Sequence, residues 1–313
     1  MPGGNIGTMM VRCIYPDNTN YNRGDFHMRK FLVVFALMMP FVAFADDVGL
    51  EGKNLVLNIR RIGLDLSKTQ IHNAGEYTNS PITALNTDGQ DFIKGVFDTV
   101  VEYKHNRLNW DNSLFMEYGK TTLRPYDAPK TTNENADKIL AASDLSYACW
   151  DFNSFKLGPM ARLSYETEFE PADGTDDRLK IARAFGGLSI FDSKIIKSLH
   201  LAAVYEYDFT YGHDQVSKLA AEVGWRLEYV VRDGVKLATD GYYREYLDYS
   251  QYVGTDLERD LNMTARMDTN LWGAFTMGPY LQYRLAKARD AEHYGSNLTI
   301  GISFNYITKF GLR

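Results

Sequence analysis

Residues 199–211 read LHLAAVYEYDFTY, and this stretch decides the fold. Leu199, Leu201, Ala203, Tyr205, Tyr207, Phe209 and Tyr211 take every second position, with His200, Ala202, Val204, Glu206, Asp208 and Thr210 between them. An apolar stripe of period two is the signature of a β-strand with unlike faces, because successive side chains leave a strand on opposite sides. The stretch is also long. Strands of globular proteins run to about 5–6 residues, whereas a tilted strand crossing a bilayer needs about 9–11.

The same pattern recurs outward from this segment. Leu219 to Val231 alternates on odd positions, Leu261 to Phe275 does so again, and Leu298 to Phe310 on even ones. Weaker runs lie near 92–104, 107–119, 137–150, 156–169, 179–191, 234–249 and 279–288. One more falls within 54–71, where the alternation breaks at Arg60-Arg61 and leaves the register undefined. The runs total about twelve. Connections alternate in length: short ones near His105-Asn106, 152–154, 192–194, Arg232-Asp233 and Met277-Gly278, and longer ones near 72–91, 120–136, 170–178, 212–217, 250–258 and 289–296. Tight turns on one side and longer loops on the other, with an even strand number, are the habit of transmembrane barrels. The fold class predicted is therefore all-β: an antiparallel up-and-down transmembrane β-barrel of about twelve strands, preceded by a signal peptide and with both termini on the short-turn side. A soluble periplasmic β-protein remains open if the stripes face an internal core. Closure follows from the solvent, since lipid offers backbone N–H and C=O groups no partner and a closed sheet has no edges.

Aromatics gather at the strand ends. Tyr118, Phe169, Tyr207, Phe209 and Tyr249 are placed at the outer rim, and Tyr103, Tyr147, Tyr229, Phe275 and Tyr306 at the inner rim. Amphipathic rings settle at the headgroup level in this way. Pro159 and Pro279 are placed at or near strand starts beside short turns, where a missing N–H matters least.

Met28-Arg29-Lys30 precedes the apolar run 31–45, FLVVFALMMPFVAFA, which ends in Ala43-Phe44-Ala45 before Asp46-Asp47. A basic start, a short apolar middle and a small-x-small end describe a secretory signal peptide. The division expected is 1–27 as a mis-called extension, 28–45 as signal peptide and 46–313 as the barrel. The chain of 313 residues carries 34 basic and 40 acidic side chains. Without 1–45, 30 basic face 38 acidic, for a net charge of −8. This balance speaks against nucleic acid as a partner. Cys149 is the one cysteine beyond the signal region, so no internal disulfide is expected.

The signal peptide, the alternation and a last strand closing near Phe310 resemble bacterial outer-membrane barrels. That resemblance implies location in the outer membrane, contact with its lipids and lipopolysaccharide, and recognition by the barrel assembly machinery through the C-terminal strand. Gly311-Leu312-Arg313 beyond the aromatic depart from the usual ending. Within 106–211, Trp110-Asp111-Asn112-Ser113-Leu114, Tyr118-Gly119-Lys120-Thr121, Ala136-Asp137-Lys138 and the YETEF run at 165–169 are similar to an uncharacterised outer-membrane family, which carries no assigned activity.

If the apolar stripes face lipid, the alternate positions line the lumen. The charged lining expected comprises Glu117, Asp144, Arg162, Glu166 and Arg183, then Glu206, Asp208, Glu222, Arg226 and Asp240, and finally Arg244, Arg266, Asp268 and Arg284. The central cations in this reading are all Arg, whose planar fork pairs bidentately with carboxylates. Such a lining either fills the barrel with ion pairs or forms a charged constriction. Twelve strands lie between a side-chain-filled barrel of eight and an open pore of 16–18. The function expected is structural or small-solute permeation through a mostly filled lumen. The alternative is a lipid-modifying hydrolase of phospholipase or lipid A deacylase type, with His200 beside Ser198, or His213 and His293 in outer loops, as candidate bases. No catalytic set is assigned, no metal or cofactor motif is read, and the acidic loop Glu170, Asp173, Asp176 and Asp177 reads as solvated or cation-binding. Ala220 is placed inward, with a serine there expected to do little, and Ala221 outward.

Overall fold

The computed structural model describes residues 54–77, 85, 91–123, 131–171, 177–212, 215–251 and 256–312. The expectations for 1–27 and 28–45, and those for His213, Asp173 and Asp176, lie outside the described residues.

The described strands are β1 (Leu55–His72), β2 (Asp91–His105), β3 (Leu108–Leu123), β4 (Thr131–Tyr147), β5 (Trp150–Phe152), β6 (Phe155–Thr167) and β7 (Lys180–Phe191), followed by β8 (Ile196–Asp208), β9 (Val216–Arg232), β10 (Val235–Tyr249), β11 (Leu257–Trp272), β12 (Phe275–Ala288) and β13 (Gly295–Gly311). Every neighbouring pair is antiparallel, and the ring closes where β1 pairs with β13 from Val56↔Gly311 to His72↔Ser296. The three-residue β5 carries β4 onward along the same neighbour, β6, after a break at Ala148-Cys149. The barrel therefore has twelve staves, and both of its chain ends lie on the short-turn side.

Register sorts the side chains by parity into an outer and an enclosed face. On β8, Leu201 and Tyr205 are 61% and 52% exposed, whereas Ala202 and Val204 are 3% and 0%. Leu163, Leu188, Ile300 and Ile302 are likewise exposed on the outside. An apolar belt of this kind is untenable in water but natural in lipid. The stripes thus face outward, which removes the soluble reading. The rims carry the expected rings: Tyr207 stacks with Phe209 and Tyr118 meets Phe169 edge-on at the outer end, and Phe275 meets Tyr306 at the inner end. Trp110, Trp150 and Trp272, exposed near the short turns, extend the inner girdle beyond the residues expected there.

Three local readings change. The break at Arg60-Arg61 is a β-bulge: Ile59 pairs with Thr308 and Ile62 with Tyr306, so two residues oppose one. The extra residue resets the parity, and both arginines turn into the barrel. The last short turn is Gly273-Ala274 rather than Met277-Gly278, because Gly273 supplies the positive φ (51°) that the turn needs. Pro279 and Pro159 are each the fifth residue of their strands, β12 and β6. Each follows a glycine whose added Cβ would strike a facing carbonyl, that of Met267 or of Tyr147. A missing N–H is tolerated where the facing strand already interrupts its ladder, and β4 breaks at Ala148-Cys149 opposite Gly158-Pro159. Finally, β3 and β4 run on to Leu123 and from Thr131, so the outer connection expected over 120–136 shortens to 124–130.

Candidate functional site in the barrel lumen

The enclosed face is a packed set of ion pairs on two opposite walls. One wall is built on β6 to β10. Arg183 pairs with Glu166 and places Nε 2.6 Å from Glu206 Oε2. Lys218 reaches Glu206 at 3.2 Å, and Arg244 reaches Glu222 at 2.6 Å and Glu206 at 3.4 Å. Adjacent strands in register make this possible, since Arg183 stands opposite Glu206 and Glu222 opposite Arg244. The other wall joins β1, β2 and β11 to β13. Arg61, turned inward by the bulge, pairs with Asp65 and donates to Asn305 and Ser303. Asn305 and Arg266 both donate to Asp268. Lys94 donates to Glu117 at 3.0 Å and to Gln282 at 2.9 Å.

The remaining expected residues fall on the same face. Asp144 pairs with Arg162, which also lies over the Phe185 ring. Asp208 accepts from the Thr210 N–H, Asp240 is the cross-strand neighbour of Arg226, and Arg284 donates to Asp260 at 2.9 Å. Beside the expected arginines, Lys94, Lys138 and Lys218 also face the interior. Sequence parity missed Arg60 and Arg61 because of the bulge. It missed Lys218 and Asp260 because they lie near the outer ends of their strands. It also missed that part of the lining is apolar. Met160, Phe185, Ala202, Val204 and Ala220 form a buried cluster on the enclosed face, with Tyr246 against it. A serine at Ala220 would bury a hydroxyl in that cluster, so the expectation of a mild effect does not hold there.

The two walls also meet across the lumen. Asp98 on β2 lies 3.6 Å from Arg226 on β9 and 3.7 Å from Arg60. Five staves separate β2 from β9 in either direction round the ring, with β5 counted as the extension of β4, so the bridge spans a full diameter. Their side chains are 15% and 19% exposed. Nearer the short turns, Lys104 of β2 meets Asp192, in the turn between β7 and β8, at 3.3 Å. Burial pushes the Asp192 carboxyl up, but Lys156 and Lys104 outweigh it and hold it below its ordinary 3.8.

Towards the long-loop end the walls part into a cavity of about 150 Å³. Tyr77, in a single 3-10 turn (Ala74–Tyr77), is buried with Leu85 against Leu257, Ala286 and Ala288. Its hydroxyl donates to Ala286 O and His293 O. Glu76 accepts from the His293 N–H at 3.0 Å and contacts its Nδ1 at 2.8 Å. The backbone bond and then the ring lower the Glu76 pKa, and Glu76 in turn raises that of His293.

His200 points inward, lies 3.1 Å from Glu222 and rests on Gly224, where a Cβ would strike its ring. His293 is the loop tether just described. Among the described residues no group of three His, Cys, Asp or Glu side chains is placed to hold a metal ion.

A closed antiparallel barrel with an apolar exterior, aromatic rims and a charged interior is a transmembrane β-barrel of the outer-membrane type. Its place is the bacterial outer membrane, where the belt is covered by lipid. Neither a family model nor a curated protein matches the chain. Among solved structures it is similar to the translocator domain of the autotransporter NalP from Neisseria meningitidis, at 10% identity over 90% of this chain and 97% of that one, with a TM-score of 0.39. It is also similar to outer membrane phospholipase A from Escherichia coli, at 10% identity over 83% and 94%, with a TM-score of 0.44. A third similarity is to an outer membrane channel from Pseudomonas putida F1, at 10% identity over 84% and 98%, with a TM-score of 0.43. These likenesses span different activities and assign none.

Proposed function

We propose that this barrel has a mostly filled, charged lumen that serves a structural role or passes small solutes along a narrow path. The supporting observation is the Asp98–Arg226 bridge between diametrically opposite staves. A pore of 16–18 strands leaves its centre to water; here side chains from both walls meet across it. In this reading the fourteen charged residues expected from the sequence are the lining that fixes the barrel and screens solutes by charge. Lipopolysaccharide at the outer rim and the assembly machinery at the last strand, near Phe310, are the partners proposed. The hydrolase alternative draws no support from His200, since a base acting on lipid must reach the outer face.

The test is planar-bilayer recording of the refolded chain beside a wide trimeric porin under the same salt. The reading expects either no steps or steps many-fold smaller than the porin's. Steps of comparable size would overturn it.

A further inference from the structure

We propose that the cavity at the long-loop end is a binding site for a small neutral polyhydroxylated solute, of the size and chemistry of a monosaccharide. The proposal goes beyond the permeation reading, because a barrel that binds here need not conduct.

The argument begins with the charges around the cavity. Six cations line it: Lys94, Lys138, Arg183, Lys218, Arg244 and Arg284. Each already has a carboxylate. Lys94 has Glu117 at 3.0 Å and Lys138 has Glu166 at 2.9 Å. Arg183 and Lys218 share Glu206, Arg244 has Glu222, and Arg284 has Asp260. The carboxylates beyond these pairs are held too: Asp137 accepts two backbone N–H groups, and Glu168 and Asp208 accept one each. An anion entering here would have to take a cation from its carboxylate and leave that carboxylate enclosed without a partner, which is strongly unfavourable. A cation would face the same cost in reverse at the paired carboxylates, but less of it at Asp137, Glu168 and Asp208, which are held by backbone N–H groups. The pairs therefore exclude an anion outright, and a cationic sugar is the sharper control for neutrality.

What faces the cavity besides these pairs is neutral and rich in hydrogen-bonding groups. Asn262, Gln282, Asn297, Thr299 and Thr69 come from β11, β12, β13 and β1, and Tyr242 and Tyr246 from β10. Amides both donate and accept, as a sugar hydroxyl does, and aromatic faces suit the C–H side of a sugar ring. Among these groups stands an incomplete ion pair. Asp260 is 2% exposed and uses Oδ2 for Tyr242 and Arg284, while its Oδ1 and the Arg284 Nε have no partner among the described residues. Both atoms are closed to solvent, so a vicinal diol in the cavity would satisfy this acceptor and donor together once the two side chains turn towards it. The volume, about 150 Å³, limits the solute to about one six-membered ring.

Saturation-transfer NMR on the refolded chain in detergent tests this with three probes that share one ring: D-glucose, D-glucuronate and D-glucosamine. Glucose should give the strongest transfer and the tightest apparent Kd. Asn262→Leu, which keeps the γ-branched outline and every ion pair, should weaken glucose about 3- to 10-fold, as the loss of one neutral hydrogen bond predicts. Thr299→Val supplies a second, independent variant should Asn262→Leu fold poorly. Transfer to none of the three sugars, a preference for either charged sugar, or glucose binding unchanged in both variants would overturn the proposal. Because binding is read at equilibrium, failure here leaves the permeation reading to its own bilayer test.

Discussion

Replacing Asp98 by alanine should both loosen the barrel and open it. Asp98 lies 3.7 Å from Arg60 and 3.6 Å from Arg226. At an effective dielectric of about 20, each contact carries about 4.5 kcal/mol of gross Coulomb attraction. Desolvation offsets most of that in the native protein. The mutant, however, keeps the desolvation of two guanidiniums and loses the charge that compensated it. Removing one partner of an enclosed pair typically costs about 3–5 kcal/mol. These side chains keep 15–19% exposure, so the low end, about 3 kcal/mol, is expected. The assay is urea unfolding in lipid vesicles, read by the heat-modifiable shift on a gel, with Arg226→Ala and the double variant completing a thermodynamic cycle. The coupling energy should fall at about 1–3 kcal/mol. In planar bilayers Asp98→Ala should also give larger steps that favour anions, because two arginines then stand at the constriction without their carboxylate. A variant matching the parent within about 0.5 kcal/mol, with unchanged conductance, would refute the reasoning: the bridge would then neither hold the walls nor block the path.

Three further outcomes follow from the same geometry. Ala221→Arg places a charge on the lipid face and should destabilise the barrel by about 2–4 kcal/mol in vesicle unfolding; a neutral effect would mean that the outward face is misplaced. Tyr77→Phe removes the hydroxyl that bonds Ala286 O and His293 O. It should raise hydrogen exchange at 286–294 while leaving the global unfolding midpoint nearly unchanged, and a large global loss would count against a local tether. The Glu76–His293 contact gives that tether a pH window. A raised His293 pKa means its contribution is full below the ordinary 6.5 and fades as pH rises through the folded value, whereas a lowered Glu76 pKa means its contribution is present above the ordinary 4.5 and fades as pH falls through its folded value. Exchange protection of this loop should therefore peak between these two values, and stronger protection in mildly alkaline buffer would contradict the assignment.

The alternation of 199–211 and its repeats sufficed to establish strands, their approximate number, the outward belt and the two sides of the barrel. Parity is a local property, set by the backbone one residue at a time, so it survives without tertiary information. It fails where the chain spends a residue off the ladder. Arg60-Arg61 looked like noise in the sequence and proved to be the bulge that sends two arginines into the lumen. The last short turn was expected at Met277-Gly278, and the positive φ at Gly273 places it at Gly273-Ala274 instead.

What only the tertiary structure decided is which groups meet across the enclosed space. Asp98 and Arg226 are 128 positions apart, and nothing in either strand shows that the two are brought face to face. That meeting depends on how many staves close the ring and how far they are staggered, a global quantity to which each strand contributes equally. The pairing of every cavity cation, the apolar cluster around Ala220 and the seating of Tyr77 are of the same kind. Sequence alone determined that the interior would be charged, because lipid outside leaves charge no other face; the closed ring decided that these charges would largely satisfy one another.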